Sequence, residues 1–305
     1  MSIWLATTKQ HFASSGIALP PFRETPTVES IQEAAKELGL PLMLKSRRGG
    51  YDGKGNAVVQ SLEEIPAALE KLGIVGDEQK KETMDLYAEG WIDFDCEVAV
   101  MVVKSAGAGS ATASYPAVQA IQQDSICRVV LAPAPHLTND MDRKCQEMAR
   151  RAVDSLGSGA AGMFGVELFV QPDGGVLLNE IAPRPHNTGH YTQNACAVNQ
   201  FENHLRGITG LPLGTTTMIV EAAASKSVVS SNTVLCFLVF GCGDSFALML
   251  VFTFLEQWSM CWELNREPWK TRSRARTRPC PSLVPLCIGT ARRVAARDEK
   301  WVTLT

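Results

Sequence analysis

The sequence predicts a mixed α+β fold over residues 1–218 of the 305-residue chain. Three observations favour this class: apolar residues recur at helical spacing in some segments, β-branched runs occur in others, and turns rich in Gly or Pro separate them. The stretch "IQEAAKEL" is typical of a helix that ends at Gly39 and Pro41. Ser30 and Glu33 have the spacing of a capping box at its start.

The next segments predict a hairpin and a second helix. "PLMLKS" (41–46) and "NAVVQS" (56–61) have strand character and flank a glycine-rich loop. Ser61 and Glu64 have capping-box spacing ahead of the helical pattern "IPAALEKLG".

The following part of the chain predicts a sheet with one long helix. "CEVAVMVVKS" (96–105) and residues 111–133 have strand character, and apolar residues between 138 and 157 recur at helical spacing. "AGMFGVELFVQPDGGVLLNEIAP" (161–183) is a predicted hairpin that turns at Pro172–Gly175.

The overall composition excludes some classes of function. The net charge of −3 gives no basic surplus, so we expect no nucleic-acid partner. The amino terminus lacks the pattern of a signal peptide. The nine cysteines contain no CxxC pair, which predicts reduced thiols and a cytoplasmic location.

The last part of the chain has a different character. Residues 219–305 carry more basic than acidic side chains, whereas residues 1–218 carry more acidic ones. The apolar stretch 233–255 is long enough to span a bilayer, but Asp244 at its centre disfavours a membrane anchor. A buried helix or a pair of strands is the alternative to a membrane anchor for this stretch. We expect 219–305 to be an atypical tail that is disordered or misjoined.

The glycine-rich loop in "KSRRGGYDGKGNAVV" (45–59) fits neither a Walker A motif nor a dinucleotide-binding fingerprint. A glycine-rich loop between antiparallel strands can cover a nucleoside triphosphate, with backbone N–H groups and Lys54 facing the phosphates. A plain surface hairpin is the alternative, and the loop alone does not decide between them.

The second hairpin predicts a pair of facing carboxylates. With the turn at Pro172–Gly175, Glu167 lies opposite Glu180 on one face. Like charges across a ladder are destabilising unless a cation such as Mg²⁺ bridges them, and Asn179 adds an amide oxygen beside them. A register shifted by one residue would instead put one Glu on each face.

The loop "APRPHNTGH" (182–190) follows this hairpin. Arg184 suits a phosphate or carboxylate group, and His186 or His190 could bind a substrate or move a proton. The two histidines have zinc-ligand spacing, but the prolines disfavour the helix that such a site would need.

Several motifs, in order, resemble one family. They are Lys45, "GGYDGKG" (49–55), "AEGWIDFDCE" (88–97), "GVELF" (165–169), "NEIAPRPHNTGHYT" (179–192) and "QFENHLRGITGLPLG" (200–214). Together they resemble the ATP-grasp superfamily, and within it the N5-carboxyaminoimidazole ribonucleotide synthetases, which in fungi form the N-terminal part of phosphoribosylaminoimidazole carboxylase. The resemblance runs from about Lys9 to about Thr217, which predicts an ATP-grasp domain over 9–218 after an atypical segment 1–8.

The resemblance implies an activity in purine biosynthesis. ATP would phosphorylate bicarbonate to carboxyphosphate, and the amine of 5-aminoimidazole ribonucleotide would capture the carboxyl group. Relatives of this kind form homodimers. The resemblance leaves two alternatives open: a catalytically inactive nucleotide-binding fragment, or another ATP-grasp carboxylate–amine ligase.

The resemblance also implies roles for individual residues. The residues expected to bind ATP are Lys45, the loop residues Gly50, Gly53, Lys54, Gly55 and Asn56, the adenine hinge Glu89, Gly90, Trp91 and Ile92, Glu97 at the ribose, and Gln122 near the adenine. Glu167 and Glu180 would hold Mg²⁺, with Asn179 beside them. The residues expected to face the ribonucleotide and bicarbonate are Tyr51, Asp52, Arg184, His186 and Asn187.

The chain also departs from the family pattern. The Rossmann-like domain that precedes the ATP-grasp domain has no counterpart, and Trp4 and Leu5 stand where the family has an acidic–basic pair. The sequence after Met218 does not resemble the small β-rich domain of the family. We therefore expect a truncated member.

Overall fold

The computed structural model describes residues 5–47, 55–75, 84–107, 111–123, 126–230, 233–242 and 245–251. The helices are α1 (Leu5–Ser14), α2 (Val28–Leu38), α3 (Ile65–Lys71), α4 (Asn139–Ser155), α5 (Thr192–Ala195) and α6 (Gln200–Thr209). The strands are β1 (Phe22–Glu24), β2 (Leu42–Ser46), β3 (Asn56–Val59), β4 (Leu86–Gly90), β5 (Cys96–Lys104), β6 (Thr112–Ser114), β7 (Val118–Gln123), β8 (Ile126–Ala132), β9 (Gly162–Val170), β10 (Val176–Ala182), β11 (Ala222–Ser230), β12 (Thr233–Cys242) and β13 (Ser245–Val251). This is the predicted α+β class.

The smaller sheet has four antiparallel strands in the order β1-β4-β2-β3. Apolar residues of α2 and α3, among them Ile31 and Leu69, pack on it and form a core with Leu42 and Leu44 of β2. The predicted glycine-loop hairpin is confirmed outside the loop itself, because β2 and β3 pair antiparallel from Leu42↔Val59 to Lys45↔Asn56.

The larger sheet has the order β10-β9-β5-β7-β8-β11-β12-β13, and β6 pairs with β5. Strand β5, which lies between β9 and β7, separates two apolar cores because successive side chains point to opposite faces. Val98, Val100 and Val102 face α1 and α4, whereas Ala99 and Met101 face the side that holds Tyr191.

Two predicted helix starts are corrected. Helix α2 begins one turn earlier than expected: Thr27 is the N-cap, and its hydroxyl forms a reciprocal capping box with Ser30. Ser61 makes no capping hydrogen bond and begins a 3₁₀ turn, and Glu64 accepts from the backbone N–H of Gln60 instead (3.0 Å). The predicted helix end at Gly39 is confirmed, with φ of 84°.

The large sheet extends past residue 218. Strand β11 pairs with β8 from Ala223↔Ala132 to Lys226↔Val129, and β12 and β13 follow as antiparallel neighbours. The apolar stretch 233–255 therefore forms a pair of strands, one of the predicted alternatives, over 233–242 and 245–251. Residues 252–305 lie outside the described residues. Within the described ranges, no helix is both long enough and apolar enough to cross a bilayer.

Candidate active site

The predicted pair of carboxylates is confirmed on the hairpin of β9 and β10, where Glu167 and Glu180 are cross-strand partners. The register that produces the pair differs from the prediction. Next to the turn, Val176 pairs with Val170, which is one residue away from the predicted register. A β-bulge between Leu178 and Glu180 then shifts the pairing by one residue and restores the predicted register. The bulge also lets Asn179 and Glu180, which are consecutive, both serve the same side of the strand, because a bulge places two residues against one.

The Glu167 carboxyl group lies among other acids. Burial, followed by the charges of Glu180 and Glu97, raises the pKa of Glu167 to about 8. Ala99 of β5 is the cross-strand partner of Glu167, so Glu97 lies diagonally across the same face. Lys45 and Arg184 act in the opposite direction but do not offset the acidic groups.

Glu97 and Gln122, two of the predicted ATP-binding residues, lie together beside this pair. Burial raises the pKa of Glu97, and a hydrogen bond from the Gln122 side chain partly opposes that shift. Gln122 reaches Glu97 from β7, which neighbours β5 in the large sheet. The two residues thus form a polar contact on the same face as Glu167.

Lys45 connects the two sheets. It lies on β2 of the small sheet, and its Nζ donates to Oδ1 of Asn179 at the bulge of the large sheet (3.2 Å). The same Nζ lies 2.6 Å from Oε2 of Glu89 on β4. A cation is therefore held at the meeting point of the two sheets, next to the Glu167–Glu180 pair.

Glu89 has surroundings that the sequence analysis did not predict. Its buried carboxylate forms ion pairs with both Lys45 and Lys9. Burial alone would raise the pKa of Glu89, but the two lysines lower it overall. Lys9 belongs to α1 and was missed because a lone Lys near the amino terminus carries no motif. Burial lowers the pKa of Lys9, and the negative charge of Glu89 only partly opposes that shift. The buried Glu89 carboxylate is thus shared by two lysines.

The remaining predicted hinge residues follow Glu89. Gly90 ends β4, its N–H donates to the Pro21 carbonyl oxygen (2.9 Å), and a Cβ at this position would meet Pro21 at 3.0 Å. Trp91 is exposed and Ile92 is half-buried. Their role toward adenine stays a prediction.

The loop after β10 brings His186 to the carboxylates. The imidazole packs against Gly165 of β9, where an added Cβ would lie 2.5 Å from Cβ of His186. Its Nε2 lies 3.7 Å from Oε1 of Glu167, and its Nδ1 lies 2.8 Å from the Thr188 hydroxyl. Burial, with smaller effects of Arg184 and His190, lowers the pKa of His186 to about 4.

The other residues predicted for this loop are more open to solvent. Arg184 and Asn187 are exposed, and Nη1 of Arg184 donates to the Pro185 carbonyl oxygen (3.0 Å). His190 stacks on Phe201 with ring centroids 5.8 Å apart, and burial lowers its pKa. Arg184 thus acts on Glu167 through its charge, and His186 lies next to Glu167. The described part of the chain shows no side-chain contact of Asn187, and its role stays a prediction.

Part of the predicted site lies outside the described residues: Gly50, Tyr51, Asp52, Gly53 and Lys54. Two members of the loop are described at its end. Gly55 accepts a hydrogen bond at its carbonyl oxygen from the N–H of Ser46 (2.8 Å), and Asn56 begins β3 opposite Lys45. The loop therefore starts and ends beside Lys45.

Comparisons with known proteins identify one family. A model of the ATP-grasp domain matches residues 10–201. Phosphoribosylaminoimidazole carboxylase of Schizosaccharomyces pombe is 45% identical over 205 residues, which cover 67% of this chain and 35% of that protein.

Two solved structures from Aspergillus clavatus are also similar. Carboxyaminoimidazole ribonucleotide synthase complexed with ATP has a TM-score of 0.67 and 38% identity, and N5-carboxyaminoimidazole synthase in complex with ADP and 5-aminoimidazole ribonucleotide has a TM-score of 0.66 and 37% identity. Each match covers 76% of this chain and 58% of the other. Against the curated fungal relatives, the chain spans about a third of their length.

Proposed function

This chain belongs to the ATP-grasp family, and on that premise we propose that it binds Mg-ATP between its two sheets and uses it to carboxylate 5-aminoimidazole ribonucleotide. One observation carries the proposal: Lys45 of the small sheet meets Asn179 of the large sheet directly beside the facing Glu167 and Glu180. A cation and two carboxylates converging from separate sheets suit a triphosphate and its metal ion.

The donor set fits Mg²⁺. Glu167 and Glu180 face each other across one ladder, and the pKa of Glu167 is raised to about 8 by burial and by its acidic neighbours. Such a group of oxygens has too little positive charge around it, and a divalent cation would supply that charge. When bound, the ion would neutralise negative charge on the phosphate oxygens.

The lysine would act on the same phosphates. Lys45 is held by Glu89 and Asn179 at fixed distances, so its ammonium group needs little reorganisation to meet an anion. Lys9 shares the Glu89 carboxylate with Lys45, so that one carboxylate does not neutralise both lysines. Glu97 and Gln122 offer polar groups for the ribose and adenine on the same face.

The reaction that this arrangement supports begins with transfer of the γ-phosphoryl group of ATP to bicarbonate, which gives ADP and carboxyphosphate. The exocyclic amine of the ribonucleotide then forms a C–N bond with the carboxyl carbon, and phosphate leaves. His186 and Arg184 lie on the loop beside the carboxylates and are the candidates to position bicarbonate and the ribonucleotide. His186 is neutral near pH 7 because its pKa is lowered to about 4, so it can accept a hydrogen bond there.

The substrate assignment draws on the relatives. The Aspergillus clavatus synthase is described in complex with ADP and 5-aminoimidazole ribonucleotide, and this chain is 37% identical to it.

The four cysteines whose side chains are described carry free thiols, which supports the cytoplasmic location expected from the sequence.

The test is ADP release by the purified chain with Mg-ATP. We expect release that depends on both bicarbonate and 5-aminoimidazole ribonucleotide. Release that needs formate and another ribonucleotide instead would favour a different ligase of the family. Binding of Mg-ATP without any release of ADP would identify the chain as an inactive nucleotide-binding fragment.

A further inference from the structure

Gln200 is the first residue of α6 and a fully buried polar side chain near the candidate active site. It opens the motif "QFENHLRGITGLPLG", to which no role has so far been given. A buried amide must satisfy its donors and acceptor within the protein. The partners of Gln200 are therefore informative.

The side-chain amide of Gln200 binds the backbone of His186 at two points. Its Oε1 accepts from the His186 N–H (3.0 Å), and its Nε2 donates to the His186 carbonyl oxygen (2.9 Å). These are the two hydrogen bonds that a neighbouring strand would make to an extended residue. His186 has such an extended backbone, with φ −118° and ψ 152°.

The backbone of Gln200 is tied to the other end of the loop. Asn199 caps α6, so the N–H of Gln200 has no partner within the helix. It donates instead to the hydroxyl of Thr192 (3.0 Å), which in turn donates to the carbonyl oxygen of Gly189 (2.7 Å). Gly189 must lack a side chain, because a Cβ there would collide with the Gln200 amide oxygen.

The segment that Gln200 holds carries His186 toward the carboxylates. The ring is confined on one side by Gly165 of β9, and its Nδ1 contacts Thr188. The other ring nitrogen, Nε2, is thereby directed toward Oε1 of Glu167 at 3.7 Å. Loss of the backbone clamp would release the residue that bears this ring while leaving Glu167 and Lys45 in place.

We propose that Gln200 is a positioning residue, whose amide clamps the backbone of His186 so that segment 184–190 presents a fixed surface to the ribonucleotide and bicarbonate. The inference rests on the proposed function, because it names the part of the site that receives those two substrates. Gln200 acts through the backbone of His186, and its Nε2 also lies 3.4 Å from Nδ1 of His190 in the same segment. In the contacts described, it touches neither Lys45 nor the carboxylate pair. Its loss should therefore affect the ribonucleotide and ATP to different extents.

The chain provides a matched control on the same helix. Asn203 is also fully buried in α6, but its amide bonds the Tyr115 hydroxyl (2.7 Å) and the backbone of Gly214, away from segment 184–190. Gln200→Met and Asn203→Leu each replace a buried amide by an apolar side chain of similar size. Both should lower the melting temperature, since each leaves backbone groups without partners.

The experiment measures hydrogen–deuterium exchange and ligand binding for wild type and both variants. We expect Gln200→Met to speed amide exchange in residues 184–190 and to weaken binding of 5-aminoimidazole ribonucleotide about tenfold, the scale of two lost hydrogen bonds. Mg-ATP affinity should change less than about twofold. Asn203→Leu should speed exchange near residues 212–216 and leave ribonucleotide affinity relative to ATP affinity unchanged.

A second variant covers the case in which Gln200→Met does not fold. Thr192→Val keeps the shape of the buried side chain and removes only the hydroxyl between Gln200 and Gly189, so a smaller effect in the same direction is expected. If wild type binds the ribonucleotide and the Gln200 and Thr192 variants bind it equally well, the positioning role is overturned and the proposed function stands. If wild type binds Mg-ATP but not the ribonucleotide, both the proposed substrate and this inference are overturned.

Discussion

Glu167 carries a strongly perturbed carboxyl group of the candidate site. Its side chain retains about a fifth of its exposure, and its pKa is raised to about 8 by burial and by Glu180 and Glu97. Lys45 lowers that pKa but is shared with Glu89. The residue therefore favours either a proton or a metal ion, and which of the two it holds should depend on pH.

The first prediction concerns the stability of the metal-free chain. The folded pKa of Glu167, about 8, lies above the ordinary value of 4.5, so the folded state binds this proton more tightly than the unfolded state does. The resulting stabilisation is complete below about pH 4.5 and is lost as the pH rises toward 8, with a slope of at most about 1.4 kcal/mol per pH unit. Thermal melts in chelator should reveal this slope.

The comparison variant for that prediction is Glu167→Gln, which cannot ionise. We expect its melting temperature to lose this part of the pH dependence, and we expect added Mg²⁺ to stabilise wild type at about pH 8 but not the variant. Equal pH slopes for wild type and Glu167→Gln would mean that Glu167 ionises normally in the folded chain.

The second prediction concerns Glu180. Glu180→Gln removes one charge of the facing pair, and because its side chain is exposed the fold should be retained. We expect Mg-ATP-dependent turnover to fall at least about a hundredfold, the scale of losing a preorganised charge contact in a reaction site. Glu70→Gln, an exposed substitution on α3, serves as the control. Unchanged turnover in Glu180→Gln would remove the metal assignment.

At the scale of elements, the bulge in β10 decides which side chains enter the site. Leu178 still pairs with Leu168 on the core side, and after the bulge Glu180 pairs with Glu167 and Ile181 with Val166. Asn179 is the extra residue, and it supplies the oxygen that Lys45 contacts. The strand therefore presents two consecutive polar residues on the side that Lys45 contacts, without disturbing its apolar face.

This geometry predicts an unusual tolerance to a deletion. Removing Asn179 would let Glu180 follow Leu178 directly, so Glu180 would still face Glu167 and the apolar residues on both sides would keep their partners. We expect a folded protein that has lost the Lys45 contact and binds ATP about tenfold more weakly, the scale of one hydrogen bond to a charged group. Circular dichroism and ATP titration measure the two effects.

Deletion of Leu178 is the matched comparison. It would move a polar residue to the core side of the strand and should unfold the hairpin. If deletion of Asn179 unfolds the protein as deletion of Leu178 does, the bulge is required for folding and does not serve only to place side chains in the site.

The elements also show why sequence reasoning succeeded in some places and failed in others. Strands and helices were predictable because side-chain periodicity and turn residues such as Pro-Asp-Gly-Gly are local signals. The facing Glu pair was predicted from a register that is one residue off next to the turn, and only the bulge in β10 brings Glu180 opposite Glu167. The bulge was not predictable, because alternation alone does not say where an extra residue enters a strand. Thr27, and not the predicted Ser30, caps α2, because the hydroxyl of each residue accepts a hydrogen bond from the backbone N–H of the other.

At the scale of the whole molecule, the site depends on contacts between residues far apart in the chain. Lys45 and Asn179 are 134 positions apart, and no local pattern relates them. The resemblance to a family identified both residues, but the shared role of Glu89 as partner of Lys9 and Lys45 and the clamp formed by Gln200 depend on packing. Such buried polar contacts look like ordinary helix or strand residues in the sequence.

The order of the large sheet predicts that its far edge can be removed. Strands β12 and β13 lie beyond β11, at the opposite edge from β9 and β10, which hold the carboxylates. A chain that ends at Ser230 should therefore bind Mg-ATP as the full chain does, within about twofold. Calorimetric titration of both proteins checks this. A large loss of affinity in the shorter chain would show that residues after Ser230 support the site.

The central claim is that Lys45 and the Glu167–Glu180 pair form one Mg-ATP site between the two sheets. The most direct measurement is calorimetric titration of ATP, with and without Mg²⁺, into wild type, Lys45→Met and Glu180→Gln. The account predicts saturable binding to wild type that strengthens with Mg²⁺, weaker binding to Lys45→Met under both conditions, and loss of the Mg²⁺ effect in Glu180→Gln. Equal binding by all three proteins would contradict it.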